Sequence, residues 1–314
     1  MWVGAETGTE PGADFVTIFE PWSSRDDRDQ DWYETKKRSL PSWQLHQEYP
    51  QTPDEAFIKS GNPFFDVEQL AEWETFEPRK GVLVARDFVT FVEQEGNLAV
   101  WALPEHEESY VIGADVAEGL EHGDYCSAHV IRWKTRDVVA VWHGHIPPDE
   151  FAEILANLGK FYNGALIGVE NNNHGLTTCK YLKDWHRYPN IFYARVIDER
   201  TKRATNKIGW TTSKKTKPKM LDDLAQELRE RTLGLWDRGT VGELRTFVRD
   251  ENGRLHGSPF DDRVMSLAVA VQMLDYAVAH KAQRGEAVYG TLGWWDQKLR
   301  APVTHVPIGA HNRR

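Results

Sequence analysis

The order of predicted strands and helices between residues 110 and 278 constrains the fold more than any other feature of the sequence. Short apolar runs predict strands at 110–115, 126–133, 137–145, 165–169 and 191–196. Apolar residues at helical spacing predict helices at 148–162, 176–185, 216–232 and 261–278. Because three strands come first and the later ones alternate with helices, we expect an α/β domain with a mixed β-sheet flanked by helices.

The sequence on either side of this region is less regular. Residues 1–75 contain many Pro, Asp and Trp without sustained periodicity, and we interpret them as a connector arm with short helices. From Gly81 to Pro104 the pattern predicts paired strands with a turn at 95–97, so the folded domain is expected to span 76–280. Residues 281–314 contain several Gly and Pro and are predicted to form a flexible tail.

Composition limits the class of protein. The 314 residues are 40% hydrophobic and 27% charged, which is typical of a soluble globular protein. No apolar run reaches about 18 residues and the first residues lack the blocks of a signal peptide, so neither a membrane span nor export is expected and we interpret the chain as cytoplasmic. The two cysteines, Cys126 and Cys179, cannot build a disulfide framework and are predicted to be buried free thiols.

Acidic residues stand at the ends of predicted elements. Asp115 lies at the end of the first strand, Glu170 ends the apolar run "ALIGVE", and Asp261 and Asp262 stand at the first turn of the last long helix. Considered alone, Asp115 is typical of a turn residue, and the Asp261–Asp262 pair is typical of a helix cap. A charged residue that ends an apolar strand, as Glu170 does, is seldom tolerated unless it is paired or coordinates an ion.

Carboxylates that converge at one rim of a sheet repel each other unless cations neutralise them. Oxygen ligands of this kind suit Mg²⁺ or Mn²⁺. Two such ions about 3.5–4 Å apart can activate a water molecule and stabilise the leaving oxygen of a phosphodiester. The acids therefore predict a site for divalent metal, with two ions.

Several polar residues carry weaker signals. Asp124, His174 and His256 lie near the acidic segments and are candidates for positions around the metal ligands, with turn or surface roles as the alternative. His143 and His145 alternate on one strand and share a face, and we favour exposed or hydrogen-bonded histidines over a metal pair. The phosphate-binding pattern G-x-x-x-x-G-K-[ST] does not occur in the sequence, so no nucleotide site of that type is expected.

A basic strip at residues 200–219 contrasts with the net charge of −10. Within it stand eight basic residues and no acid: Arg200, Lys202, Arg203, Lys207, Lys214, Lys215, Lys217 and Lys219. A local strip of this kind can hold a phosphate backbone even on an acidic protein. The alternative is a solvated loop without a partner.

The acidic motifs together resemble a known family. "IGADVAEG" followed by "GD", "IGVENNNHG" and "GSPFDDRVMSLAVAV" resemble the three acidic motifs in the nuclease portion of bacteriophage terminase large subunits. Two flanking segments, "EYPQTPDEAFIKSGNPFF" and "IGWTTSKKTKPKMLDDLAQEL", also resemble the family, in the same order along the chain. The resemblance covers about residues 15–278.

This resemblance implies a ribonuclease H-like fold and a nuclease that cuts concatemeric double-stranded DNA during viral genome packaging. It implies Asp115, Glu170 and Asp262, with Asp261 beside it, as metal ligands, and leaves open which member of the adjacent pair binds directly. It also implies a portal protein and a small terminase subunit as partners, in the host cytoplasm and transiently at the procapsid portal. The family's ATPase domain is missing apart from its end, within 1–75, so ATP-driven translocation is not expected.

Two alternatives remain open at this point. A noncatalytic assembly module would dock the acidic arm and the tail onto the portal or the small subunit, but acids at all three motifs argue against it. An ATP-binding ribonuclease H-like protein would use a similar first aspartate, but it needs glycine-rich phosphate loops that the sequence does not contain.

Overall fold

A computed structural model describes residues 19–40, 45, 48–51, 62–119, 123–197, 204–250, 252–257 and 259–283. These residues form two compact units. The first comprises described residues up to Glu72 together with Gly242–Asp261, and the second comprises Trp73–Val241 together with the chain from Asp262.

The strands are β1 (Asn62–Pro63), β2 (Arg79–Ala85), β3 (Val89–Glu93), β4 (Leu98–Val100), β5 (Tyr110–Asp115), β6 (Cys126–Arg132), β7 (Val138–Gly144), β8 (Leu166–Val169), β9 (Tyr193–Ile197), β10 (Ala204–Ile208), β11 (Val248–Arg249) and β12 (Leu255–His256). The α-helices are α1 (Gln30–Ser39), α2 (Val67–Ala71), α3 (Pro148–Phe161), α4 (Asn173–Lys180), α5 (Thr216–Arg229), α6 (Arg238–Arg245) and α7 (Asp262–Gln283). A π-helical turn, Tyr181–Trp185, continues α4.

The first unit is small and partly aromatic. Trp22, Tyr33 and Leu45 form a buried cluster in which the Trp22 and Tyr33 rings stack with centroids 4.4 Å apart. Strands β1, β11 and β12 pair antiparallel in a separate three-stranded sheet. Helix α1 begins where the Asp29 carboxylate accepts a hydrogen bond from the Trp32 N–H at 2.8 Å, a common helix cap.

The second unit is built on a seven-stranded mixed sheet with the order β3-β2-β4-β7-β6-β5-β8. Strands β5 and β8 run parallel, and the remaining neighbours are antiparallel. Every residue of β5 is buried, as expected for a central strand covered on both faces. Trp142 and Phe151 join the sheet to α3 with ring centroids 5.1 Å apart, and Gly113 packs against α7.

Three antiparallel strands followed by a parallel strand confirm the predicted mixed sheet flanked by helices. The buried free thiols predicted at Cys126 and Cys179 are also confirmed. No helix in the described ranges is long and apolar enough to cross a membrane.

Some predicted elements differ from the structure. The strand predicted at 191–196 is β9, which pairs with the unpredicted strand β10 in a separate two-stranded sheet. The hairpin predicted from Gly81 contains three strands, because a second turn at 86–88 separates β2 from β3. Helix α6 was not predicted, because only eight residues with few apolar side chains leave a weak periodic signal. The tail beyond Gln283 lies outside the described residues.

Candidate active site

Asp115 and Glu170 are brought together by the parallel pairing of β5 with β8. Ala114 pairs in register with Val169. Asp115 and Glu170 directly follow these two residues, so they lie at the ends of neighbouring strands. The Glu170 N–H donates to the Ala114 carbonyl at 2.8 Å, which fixes this register at the rim. Each acid is only 8% exposed.

Asp262 lies at the same rim, although it is distant from Asp115 and Glu170 in the sequence. It is the first residue of α7, it is 5% exposed, and its Oδ2 accepts a hydrogen bond from the Tyr125 N–H at 3.3 Å. Tyr125 directly precedes β6, the strand that pairs with β5. Burial, together with the negative charges of Asp115 and Asp262, raises the pKa of the neighbouring Cys126 thiol to about 12. These two acids therefore act on one buried position.

The donor set has the chemistry that a divalent cation requires. The three acids offer hard oxygen ligands, which Mg²⁺ and Mn²⁺ prefer. Glu170 is only 8% exposed, and in the described part of the chain no side-chain hydrogen bond or ion pair is found for its carboxylate. A cation bound beside such a carboxylate would stabilise its charge. Within the same ranges, no three His, Cys, Asp or Glu side chains already close on one ion. The residues fit the metal by charge, burial and ligand type.

The other residues predicted around the metal lie in different settings. Asp261 and His256 belong to the first unit, where Asp261 is half-buried and His256 is exposed with Nδ1 2.9 Å from the Gly257 carbonyl. Asp124 is exposed immediately before Tyr125. His174 Nε2 lies 3.2 Å from Glu118 Oε1, an ion pair if the ring is protonated. The roles proposed for these residues stay predictions.

The basic strip divides into three parts. Arg200, Lys202 and Arg203 lie outside the described residues. Lys207 is exposed on β10, and Lys214 and Lys215 are exposed before α5.

The last two lysines of the strip are less available for a ligand. Lys217 is half-buried. Lys219 Nζ lies 2.7 Å from Asp223 Oδ2, an ion pair within α5 that raises the pKa of the lysine. Among the described residues of the strip, the exposed lysines without a recorded ion pair are therefore Lys207, Lys214 and Lys215.

A buried polar network behind the acids was not predicted. His129 is fully buried on β6, with Nδ1 2.9 Å from the Ser266 hydroxyl and Nε2 2.9 Å from the Thr240 hydroxyl. Ser266 Oγ also lies 2.9 Å from Ser127 Oγ, and Ser127 pairs in register with Asp115. The network thus joins the strand beside Asp115 to the helix that begins with Asp262. A histidine inside the apolar run at 126–132 was the available sequence signal.

The hydrogen-bond acceptors in this network determine which atoms carry the protons. Thr240 donates to Asp237 Oδ2 at 2.6 Å, so its oxygen accepts from His129 Nε2–H. Burial, together with the nearby Arg263 and His143, lowers the pKa of His129 to about 3, although Asp237 opposes this shift. The ring is therefore neutral, and its unprotonated Nδ1 lies 2.9 Å from the Ser266 hydroxyl.

Replacing His129 with leucine should lower the free energy of unfolding by about 1–3 kcal/mol, because buried hydroxyls lose a partner. The loss should shrink on acidification. Unfolded His129 takes up a proton below a pH of about 6.5, whereas the folded ring stays neutral to a pH of about 3, so this histidine's stabilisation falls as pH decreases. Urea unfolding of the wild type and His129→Leu, at a pH of about 7 and at a pH of about 5, measures the difference between their free energies of unfolding. A difference that is larger at the lower pH would contradict a neutral His129 ring in the folded protein.

The histidine pair of β7 packs on an aromatic ring. Tyr125 stacks on His143 with centroids 4.4 Å apart and on His145 with centroids 3.9 Å apart. His145 Nε2 lies 3.2 Å from the Gly123 carbonyl. The pair therefore belongs to the packing around Tyr125, whose N–H binds Asp262.

No family model and no curated protein matches the chain. Solved structures similar to it are large terminase nucleases of thermophilic phages. The nuclease of phage G20c with bound magnesium has a TM-score of 0.49 and 17% identity over 68% of this chain and 98% of that chain. The G20c nuclease with bound cobalt has a TM-score of 0.49 and 18% identity over the same shares, 68% and 98%. The nuclease domain of Thermus phage P74-26 has a TM-score of 0.43 and 19% identity over 65% of this chain and 92% of that chain.

Proposed function

We propose that the second unit is a divalent-metal-dependent endodeoxyribonuclease that cuts double-stranded DNA. The observation that supports the proposal is that Asp115, Glu170 and Asp262, all buried, stand at the ends of elements along one rim of the mixed sheet. Burying three acids together is unfavourable unless a cation binds there. The three acidic motifs and their order in the sequence support the same function.

The chain's own residues would hold the reacting groups in place. Asp115 and Glu170 are oriented by the β5–β8 register, and Asp262 by the Tyr125 N–H. Bound at this rim, Mg²⁺ or Mn²⁺, two ions in our proposal, would activate a water molecule and stabilise the leaving oxygen of the phosphodiester. Because one acid comes from each of β5, β8 and α7, small shifts between these elements would misplace a ligand.

The basic strip is proposed to bind the DNA backbone. Its lysines offer phosphate contacts, which position the DNA but carry no base sequence. We therefore propose low sequence specificity and, following the motif resemblance, cleavage of concatemeric viral DNA. A portal protein and a small terminase subunit are the proposed partners, in the host cytoplasm and transiently at the procapsid portal.

Joint replacement of Lys214 and Lys215 with alanine should weaken DNA binding on every sequence. The slope of log affinity against log salt should decrease by about two, one for each lost phosphate contact. Replacement of Lys219 should change the slope less, because this lysine is already paired with Asp223. Fluorescence anisotropy over a salt series measures the slopes. An unchanged slope in the double variant would mean that these lysines do not face DNA.

Plasmid cleavage tests the proposed function. Supercoiled plasmid should become nicked and linear with Mg²⁺ or Mn²⁺, and it should stay intact with EDTA. Cleavage that persists in EDTA would contradict a metal-dependent nuclease. Intact plasmid under every metal condition, from a protein that melts cooperatively, would favour a noncatalytic assembly module.

A further inference from the structure

A cavity of about 330 Å³ lies in the second unit, between strands β2, β4 and β7 and the first residues of α6 and α7. Its volume is at the lower end of the range of small-molecule sites, about 300–1,000 Å³. The metal ligands do not line it. Its walls contain aromatic rings, cations without an ion pair in the described ranges, and an imidazole with a buried nitrogen. Each of these groups can bind part of a ligand.

Aromatic rings form one wall. Phe76 and Trp101 both line the cavity, and Phe76 is 54% exposed. The Trp101 Nε1–H donates to the Phe76 carbonyl at 2.7 Å, and the Phe76 N–H donates to the Trp236 carbonyl at 3.2 Å. These bonds hold the Trp101 ring and the Phe76 backbone in place, and the Phe76 ring packs on Trp236 with centroids 5.3 Å apart. An exposed, fixed ring offers a stacking surface for a flat group.

Two cations stand at the edge of the cavity. Lys80 and Arg238 are exposed, and neither forms an ion pair within the described ranges. Two acids, Glu77 and Asp237, also line the cavity. The charge of Asp237 is neutralised by Arg263 at 2.7 Å, so only the charge of Glu77 opposes the two cations. The edge is therefore net positive and suits a phosphate group.

A half-buried imidazole lies deeper in the cavity. His143 Nε2 is buried and has no hydrogen-bond partner in the described part of the protein. Burial lowers the pKa of His143 to about 3, so the ring is neutral and can donate or accept one hydrogen bond there. A buried polar atom without a partner costs free energy that a bound polar group would recover.

The cavity lies next to the acids. The His143 ring stacks on Tyr125 at 4.4 Å, and the Tyr125 N–H donates to Asp262. Arg263, which lines the cavity, directly follows Asp262 in α7. A group held in the cavity would therefore be close to the strand that the acids are proposed to cut.

We propose that this cavity binds one unstacked nucleotide of a DNA strand. Its base would stack on Phe76 and Trp101 with one polar edge at His143, while its phosphate binds Lys80 and Arg238. The inference rests on the proposed nuclease function, because it places the nucleotide beside the cleaved bond. Unstacking a base from a duplex costs a few kcal/mol. The cavity should therefore make the protein favour single-stranded or frayed DNA over an intact duplex of the same sequence.

The test compares single-stranded with duplex DNA in EDTA, so that binding is measured without cleavage. Anisotropy of a fluorescein-labelled oligonucleotide, alone and annealed to its complement, gives two dissociation constants for the full chain. Phe76→Ala should weaken single-strand binding by about fivefold or more, since stacking of one base contributes at least that much. Arg238→Ala should also weaken it, because the phosphate loses a charged partner. Duplex binding should change less, so the ratio of the two constants should shift.

Two further variants separate the cavity from general charge and folding effects. Arg86→Ala removes the same charge from an exposed turn outside the cavity and should leave the ratio unchanged. His143→Leu should shift the ratio, and His143→Gln, which restores a polar group, should reverse the shift at least in part. Thermal melts identify any variant that fails to fold, and the remaining variants then carry the comparison.

The outcomes are distinct. Unchanged ratios in Phe76→Ala and Arg238→Ala overturn the inference, and metal-dependent plasmid cleavage by the same proteins would leave the proposed function standing. Shifted ratios without any plasmid cleavage would contradict the nuclease while supporting a nucleotide-binding cavity. The same groups would suit a free nucleotide. Binding of a deoxynucleoside monophosphate that depends on Arg238, with oligonucleotide binding independent of it, would overturn the proposal of a DNA strand.

Discussion

Replacing Asp115 with asparagine is expected to lower the rate of DNA cleavage by several orders of magnitude while leaving the fold intact. The variant loses an anionic ligand at the rim, so a bound metal would be weakened or displaced. The fold should survive, because the Asp115 Oδ1 accepts from the Val116 N–H at 2.9 Å and the amide oxygen of asparagine can accept the same bond.

Asp87→Asn provides the matched control, because it removes one negative charge from an exposed turn. Plasmid cleavage by the wild type and both variants, with Mn²⁺ and with EDTA, measures the effect. Mn²⁺ at a hundred times its dissociation constant should stabilise the wild type and Asp87→Asn by about 2.7 kcal/mol, and Asp115→Asn by less. Normal cleavage by a folded Asp115→Asn protein would remove this residue from the site.

Replacing Gly113 with alanine is expected to lower the free energy of unfolding by about 3 kcal/mol or more. A Cβ atom at this position would overlap the backbone of α7, including the Ser266 carbonyl and the Ala270 nitrogen, and would lie 2.6 Å from the Ala270 Cα. Helix α7 would have to move away from β5. Since β5 ends in Asp115 and α7 begins with Asp262, cleavage should fall as well.

Gly168→Ala is the matched comparison, because Gly168 pairs in register with Gly113 on the neighbouring strand. There the added atom would meet the side chain of Met273, with Cγ at 2.7 Å, and a methionine side chain can adjust. We expect a smaller loss, about 1 kcal/mol. Denaturant unfolding of both variants gives the two values, and equal losses would show that α7 adapts as easily as a methionine.

The sequence predicted the parts of this fold that have strong local signals. Strand β5 is a compact apolar run and α7 is long and evenly periodic, so both appeared in the pattern with Asp115 and Asp262 at their ends. The rim itself depends on register and on the close approach of a helix to Gly113. Periodicity carries no information on either, so the meeting of the acids was suggested only by their positions at element ends and by the motif resemblance.

The unpredicted features arise from contacts that are distant in the sequence. His129 and Thr240 are 111 residues apart, and their hydrogen bond gives no local signal. Strand β10 is exposed except at its last residue, Ile208, and its central residues are polar, so apolar alternation could not reveal it. The cavity likewise draws on five separate elements, none of which has a recognisable motif.

The packing of α7 on β5 also determines when the active site can form during synthesis. Tyr125 and Asp262, which share a hydrogen bond, are 137 residues apart. At about 5–20 residues per second, a ribosome needs roughly 7–27 s to make the intervening chain. During that interval β5 and β6 can pair, but the third acid and the helix that covers Gly113 are not yet available. A nascent chain would therefore complete the proposed metal site last, so that the proposed cleavage activity would appear only after translation of α7.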